Sequence, residues 1–195
     1  GNLVVFDLSS IVSIQKKQII VSYISEKMFA LRRKEELPPY VMIVEEAHNF
    51  APEKAEKKYA TSKSIINTVA REGRKFGASL CLISQRPVQL STTALSQCNT
   101  MLIMRITNPY DLKHIGESAE AIDADTQNQI SSLRVGEGVI IGEAVNYPVF
   151  VRIRNRKTKK AGKGETLEDL AKRFEEKQSL AEAISDADVN DAFLQ

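Results

Sequence analysis

The sequence is poor in the residues that build most reactive centres. It holds two cysteines and two histidines in 195 residues. Cys81 and Cys98 belong to no ligand-spaced motif, which excludes a disulfide framework and suggests buried thiols in a reducing, cytoplasmic setting. His48 and His114 leave no cluster for a transition metal. No apolar run approaches the ~20 residues of a membrane-spanning helix, and the N-terminus carries no basic flank or cleavage-like pattern. No G-x-x-x-x-G-K-[ST] occurs anywhere: Gly162-Lys163-Gly164 has neither the spacing nor the preceding strand. A loop that cradles phosphates is therefore missing from these residues. Internal repeats are also absent.

What is present is an ordinary globular composition. Apolar residues make up 43% and charged residues 27%, enough to bury a core for one domain plus an appendage. The net charge of +2 hides an asymmetry. Arg152, Arg154, Arg156, Lys157, Lys159, Lys160 and Lys163 fall in a segment, 152–163, without an acid. Residues 165–195 then carry nine acids against Lys172, Arg173 and Lys177. Such a pairing is either a nucleic-acid footprint or two segments that neutralise each other within an assembly.

The chain is organised around Tyr40-Val41-Met42-Ile43-Val44-Glu45-Glu46-Ala47-His48. Leu37-Pro38-Pro39 punctuates its start, because a proline pushes its predecessor out of the helical region. The unalternating apolar run predicts a strand buried on both faces, as in parallel sheets of α/β proteins. Ligands of such sheets lie outside the carboxyl ends of the strands, where Glu45 and Glu46 fall. Two carboxylates there can divide labour, one holding Mg²⁺ through its water shell and the other polarising a water. Equally, they can be surface acids at a strand end.

Asn2 to Ser9 predicts a first strand, and its position at the very start suggests a chain cut from something longer. Ile11 to about Arg33 predicts a helix whose inner line is Ile19, Ile20, Tyr23, Ile24, Met28 and Leu31. A second helix runs from about Ala55 to Lys75 and stops at Gly77. Its apolar line is Tyr59, Ile65, Ile66, Val69 and Phe76, opposite Lys63, Asn67, Arg71, Arg74 and Lys75. Ala78 to Ser84 predicts another buried strand, ending in Gln85-Arg86-Pro87, and Met101 to Ile106 a further one containing Arg105. Asn108 and Pro109 start a helix as N-cap and N1. Ala124 to Leu133 is helical, and residues 138–145 and 149–153 form a hairpin. A basic linker, 156–164, leads to a tail, 165–195, with Leu167, Leu170, Ala171 and Phe174 along one helical stripe. Strands alternating with helices define an α/β class with a largely parallel sheet.

Taken in order, five segments resemble the C-terminal part of the HerA-like ATPases, relatives of the FtsK DNA pumps. They are Val41–His48, Ala70-Arg71-Glu72-Gly73-Arg74-Lys75-Phe76-Gly77, Ile83-Ser84-Gln85-Arg86-Pro87, Arg105–Asp111 and Leu133–Gly138. The resemblance spans roughly residues 1–160 and implies a RecA-like P-loop ATPase core over 1–155, of the kind with an additional strand and a catalytic glutamate. It further implies ATP and Mg²⁺ as cofactors, a homo-hexameric ring, movement along double-stranded DNA and, in archaeal members, a NurA-type nuclease partner in DNA end resection and repair. On that resemblance the apolar strand is the Walker B element, Glu46 the water-activating carboxylate, and Glu45 a Mg²⁺ ligand where many relatives carry Asp. Gln85 falls where the family places a sensor of the γ-phosphate, although a strand-end amide capping its turn would look the same. Arg71 would be the arginine finger, with Arg74 as its understudy, but a solvated basic helix face fits the same spacing. Arg105 is expected to be paired near structure or nucleotide, not exposed.

The missing phosphate loop is the one large departure. Truncation would place it upstream in a parent protein and leave this chain inactive alone. The alternatives are a naturally non-catalytic interaction subunit of the same fold, or a conjugation-type RecA-like motor. Residues 86–98, with Ser91, Thr92 and Thr93, are either a pore-loop candidate or an ordinary polar connection.

Overall fold

The computed structural model describes residues 2–54, 60–118, 122–158, 168 and 171–178. They form two compact units, Gly1–Ile153 and Arg154–Gln195.

Four elements place the site. Helix α1, Ile14–Arg33, starts at Ser13, whose hydroxyl accepts the Lys16 N–H. Strand β1, Tyr40–Val44, follows the proline pair. Helix α2, Lys63–Phe76, ends on Gly77, which takes a φ of 70° and donates its N–H to the carbonyls of Gly73 and Arg74. That left-handed turn suits glycine, and it delivers the chain directly into β2, Ala78–Leu82. β1 and β2 pair in parallel, Tyr40 opposite Ala78 and Val44 opposite Leu82. Arg32 closes the crossover: its Nε donates to the Phe76 carbonyl at 2.6 Å and a terminal nitrogen to the Leu37 carbonyl at 2.9 Å. Phe29 meets Phe76 edge-on at 5.7 Å, and the Arg33 guanidinium lies 5.4 Å from the same ring.

The second sheet is antiparallel. β3, Thr100–Met104, pairs with β4, Glu137–Gly142, which pairs with β5, Val149–Arg152. The short helix α3, Thr92–Ser96, precedes β3. Helices α4, Pro109–Ser118, and α5, Ala124–Ser132, separate β3 from β4. Asn108 Oδ1 accepts the Tyr110 N–H, and Asp123 caps α5 through Thr126, so both helices begin where the sequence predicts. Three apolar clusters hold the unit together, one of Val44, Ala47, Phe50, Ala51, Ile66, Leu90 and Leu95, a second built on Ile103, Ile115, Ile130, Val139 and Ile141, and a third of Phe29, Val69 and Ala78.

Four expectations give way. Residues 2–8 form no strand, because no neighbour pairs with them; Leu3, Val4, Val5 and Phe6 are exposed, and Asp7 accepts the Ser9 N–H in a turn. β1 is not buried on both faces. Met42 packs inward while Val41 and Ile43 are 64% and 59% exposed, since helices cover one side only among the described residues. The inner line of α1 is Gln18, Ser22, Ser25 and Phe29, with Ile19 and Tyr23 outside. Most of its polar groups are paired: Gln18 Nε2 donates to the Asn49 carbonyl and the Ser22 hydroxyl to Glu26, while Ser25 Oγ lies against Met42 Sδ, but the buried Gln18 Oε1 has no partner among the described residues. Small hydroxyls let the helix approach closely where leucines would not fit. Finally, Cys81 is exposed on that same open side of the sheet. Cys98 is partly buried, and burial pushes its thiol up.

Of the second predicted helix, residues 55–59, including Tyr59, lie outside the described residues, as do Leu167 and Leu170; residues 60–62 are described and form a turn, so the helix begins at Lys63. Residues 171–178 are helical, with Phe174 64% exposed.

Candidate active site at the ends of the parallel strands

Parallel pairing brings the site together. Val44 and Leu82 are register partners, so the two residues after each strand emerge side by side at the carboxyl edge. The stitching continues past the strands: Ile83 N–H donates to the Val44 carbonyl at 3.0 Å and Ala47 N–H to the Ile83 carbonyl at 2.9 Å. Between these bonds the chain must turn within two residues. Glu46 does so in the left-handed region, φ 49° and ψ 46°, and a single 3₁₀ turn, Ala47–Asn49, follows. A non-glycine residue held there costs about 1–3 kcal/mol, a strain that concentrates at functional sites. Ala47, fully buried, anchors the turn in the core.

The turn brings four side chains together. Gln85 Nε2 donates to Glu46 Oε1 at 2.8 Å. His48 Nδ1 lies 3.4 Å from Glu46 Oε2 and 2.9 Å from Ser84 Oγ. The Ser84 hydroxyl also accepts the Arg86 N–H at 3.1 Å. The Glu46 side chain is 44% exposed and the His48 ring only 11%. Glu45 is exposed, with no hydrogen bond or ion pair among the described residues. The Gln85 amide bonds across to Glu46 instead of capping its own turn.

No group of three or more metal-ligating side chains occurs among the described residues. Mg²⁺ does not need one, because it keeps several waters and takes one or two carboxylates plus substrate phosphates. An unpaired, solvent-facing Glu45 next to Glu46 fits that requirement. An open cavity of about 470 Å³ borders His48, Gln18, Asn49 and Glu53, but Glu45, Glu46 and Gln85 are not part of its wall.

The cationic candidates lie elsewhere. Arg71 and Arg74 are exposed on α2 and share no hydrogen bond or ion pair with the carboxylates. Arg105 corrects its expectation. β3 ends at Met104, so the side chain leaves the sheet and stands exposed without a partner among the described residues. Residues 86–98 are no free loop either. Leu90 and Leu95 are core, Ser91 is buried and donates to Asn67 Oδ1, and Glu53 accepts both the N–H and the hydroxyl of Thr92. Burial alone would raise the Glu53 carboxyl, but those two hydrogen bonds and nearby Lys63 outweigh it and hold it low. Lys157 is exposed, and Lys159 and Lys160 lie outside the described residues.

Sequence reasoning passed over His48 and Ser84. For His48 the signal was available, two residues beyond Glu46; Ser84 comes beside Glu46 only through the β1–β2 register.

This architecture is shared with P-loop NTPases. The genome packaging NTPase B204 of Sulfolobus turreted icosahedral virus 2, in complex with ATP-gammaS, superposes with a TM-score of 0.55 at 16% identity, over 68% of this chain and 62% of that one. VirB4 of Thermoanaerobacter pseudethanolicus superposes with a TM-score of 0.58 at 13% identity, over 76% of this chain and 39% of that one. These likenesses show the fold, that of a P-loop NTPase core.

Sequence comparison narrows it. The DNA double-strand break repair helicase HerA of Pyrococcus furiosus is 44% identical over 65% of this chain, that of Saccharolobus solfataricus 38% over 76%, and that of Sulfurisphaera tokodaii 32% over 91%. By sequence the chain is HerA-like. It spans 23%, 29% and 35% of those relatives' own lengths. No family model matches it. Among the described residues no helix is long and apolar enough to cross a membrane.

Proposed function

We propose that these residues supply the water-activating side of the ATP site in a ring-shaped, double-stranded-DNA-translocating helicase. The observation that carries the reading is the Glu46 carboxylate at the carboxyl edge of the parallel pair, with Gln85 Nε2 donating to one oxygen and His48 Nδ1 3.4 Å from the other. A carboxylate so oriented accepts a proton from water as that water attacks, a contribution of ~10²–10⁴ in rate. Gln85 holds the carboxylate, and on the family resemblance it also senses the γ-phosphate. Glu45 fits a Mg²⁺ water shell. Bound Mg²⁺ would supply charge neutralisation at the phosphates.

Phosphate binding itself needs a loop that this sequence does not contain, so turnover belongs to a polypeptide in which such a loop accompanies these residues. The helicase names of the relatives support DNA as the track. A homo-hexamer, Arg71 as a finger reaching a neighbour's nucleotide, and a NurA-type nuclease partner in end resection complete the proposal on the family resemblance. In the full-length protein, Glu46→Gln is expected to abolish hydrolysis while nucleotide still binds. Hydrolysis at the wild-type rate would remove Glu46 from the role and the reading with it.

A further inference from the structure

Glu46 occupies a backbone conformation that costs energy and projects a carboxylate that is nearly half exposed. An exposed carboxylate on a turn would ordinarily sample several rotamers, because water solvates all of them equally well. Here its two oxygens are addressed from two sides. Oε1 accepts from Gln85, and Oε2 faces His48 Nδ1 at 3.4 Å.

The His48 ring is itself held. It is 11% exposed, and Nδ1 lies 2.9 Å from the Ser84 hydroxyl, which is pinned in turn by the Arg86 N–H. The direction of the His48–Ser84 hydrogen bond follows from charge. If the serine donated, the Nδ1 lone pair would be turned toward the carboxylate, which is repulsive. With the proton on Nδ1, the ring donates to Ser84 and presents the same positive N–H edge to Glu46. Ser84 and Gln85 are consecutive residues, so one strand end fixes both sides of the carboxylate.

Resting on the proposed role of Glu46, we infer that His48, anchored by Ser84, is a positioning residue that fixes the orientation of the Glu46 carboxylate. It touches no reacting atom. Its effect is on the geometry of the base, where a misplacement of about 1 Å can cost on the order of 10²-fold in rate.

The test uses the full-length ATPase, with steady-state hydrolysis and thermal unfolding measured on each variant. His48→Ala is expected to lower kcat about 10–100-fold with KM for ATP unchanged. His48→Asn, whose side-chain N–H can occupy nearly the same place, should recover most of the loss. Ser84→Ala should lower kcat in the same way, and Ser84→Thr, which keeps the hydroxyl, should not. Because Ser84 acts through His48, the double alanine variant should be no slower than His48→Ala alone. Wild-type kcat in His48→Ala, additive losses in the double variant, or His48→Asn as slow as His48→Ala would each overturn the inference. If His48→Ala unfolds, the contrast between Ser84→Ala and Ser84→Thr decides in its place. Glu46→Gln, run alongside, separates the two levels. If it is inactive while His48→Ala is normal, only the positioning role falls. If it hydrolyses normally, both fall.

Discussion

Arg71 poses at the scale of one residue the question that spacing leaves open. Its guanidinium is exposed on α2 beside Arg74 and Lys75, without a partner among the described residues. A finger that serves a neighbouring subunit must be unpaired on its own, and so must a solvated surface charge. The two differ in what removal does. In the full-length protein, a finger's loss costs ~10³–10⁵ in kcat with nucleotide affinity nearly intact. Mixing inactive Arg71→Ala subunits with inactive Glu46→Gln subunits should then restore part of the hydrolysis, at interfaces that pair an intact Glu46 with a neighbour's intact Arg71. Wild-type turnover in Arg71→Ala alone assigns the residue to the surface. Arg105 poses no such question, because its exposure beyond the end of β3 removes the structural pairing that a strand position implied.

At the scale of elements, the site depends on how tightly α2 is fitted to the strand it feeds. Gly73 is buried in the last turn of α2, and a Cβ there would run into the Ala78 carbonyl oxygen at the start of β2. Gly73→Ala should therefore destabilise the chain by about 1–3 kcal/mol, as overpacking does. Val41→Thr, on the open face of β1, should change stability by under about 0.5 kcal/mol. Urea unfolding of both variants checks the contrast, and equal effects would mean that the open face is covered in solution. Helix α5 gives a pH signature. The Thr126 N–H, 2.8 Å from Asp123 Oδ1, holds that carboxyl below its ordinary value of 3.8. A depressed folded value means that the cap contributes fully above 3.8 and loses its contribution as pH falls through the folded value. Asp123→Ala should lower the urea midpoint at neutral pH, with the gap from wild type closing in acid. A gap independent of pH would show that the charge plays no part.

At the scale of the whole molecule, the charge asymmetry is the feature that a DNA track would use. Lys157, Lys159 and Lys160 follow a strand end in a segment without acids, and Lys157 is exposed. If the run meets the phosphate backbone, replacing the three lysines by alanine in the full-length protein should flatten the salt dependence of DNA affinity. Each lost phosphate contact would lower the log–log slope by about 0.9. An unchanged slope would make the run a solvated connector. Val41 and Ile43 on β1 and Leu102 and Met104 on β3, in two separate sheets, are exposed apolar residues.

The sequence by itself determined the order α1, β1, α2, β2, β3, α4, α5, β4, β5 but not the short α3, and with it the α2 stop at Gly77, the starts of α4 and α5, and the two acids after β1. All of these are set by local chemistry: a glycine that tolerates positive φ, an asparagine or aspartate that caps, prolines that punctuate. Burial was not legible in the same way. A run such as Val41–Val44 looks identical whether one face or both are covered, and Asn2–Ser9 looks like a strand whether or not a partner pairs with it. The polar inner line of α1 was hidden because Gln18 Nε2, Ser22 and Ser25 find Asn49, Glu26 and Met42, distant or unremarkable in sequence. For the site, the carboxylates could be read from their place after a strand. The tertiary structure alone joined them to Ser84 and Gln85. A parallel register sets Val44 opposite Leu82 across a 38-residue separation, and only that register decides which side chains share an edge.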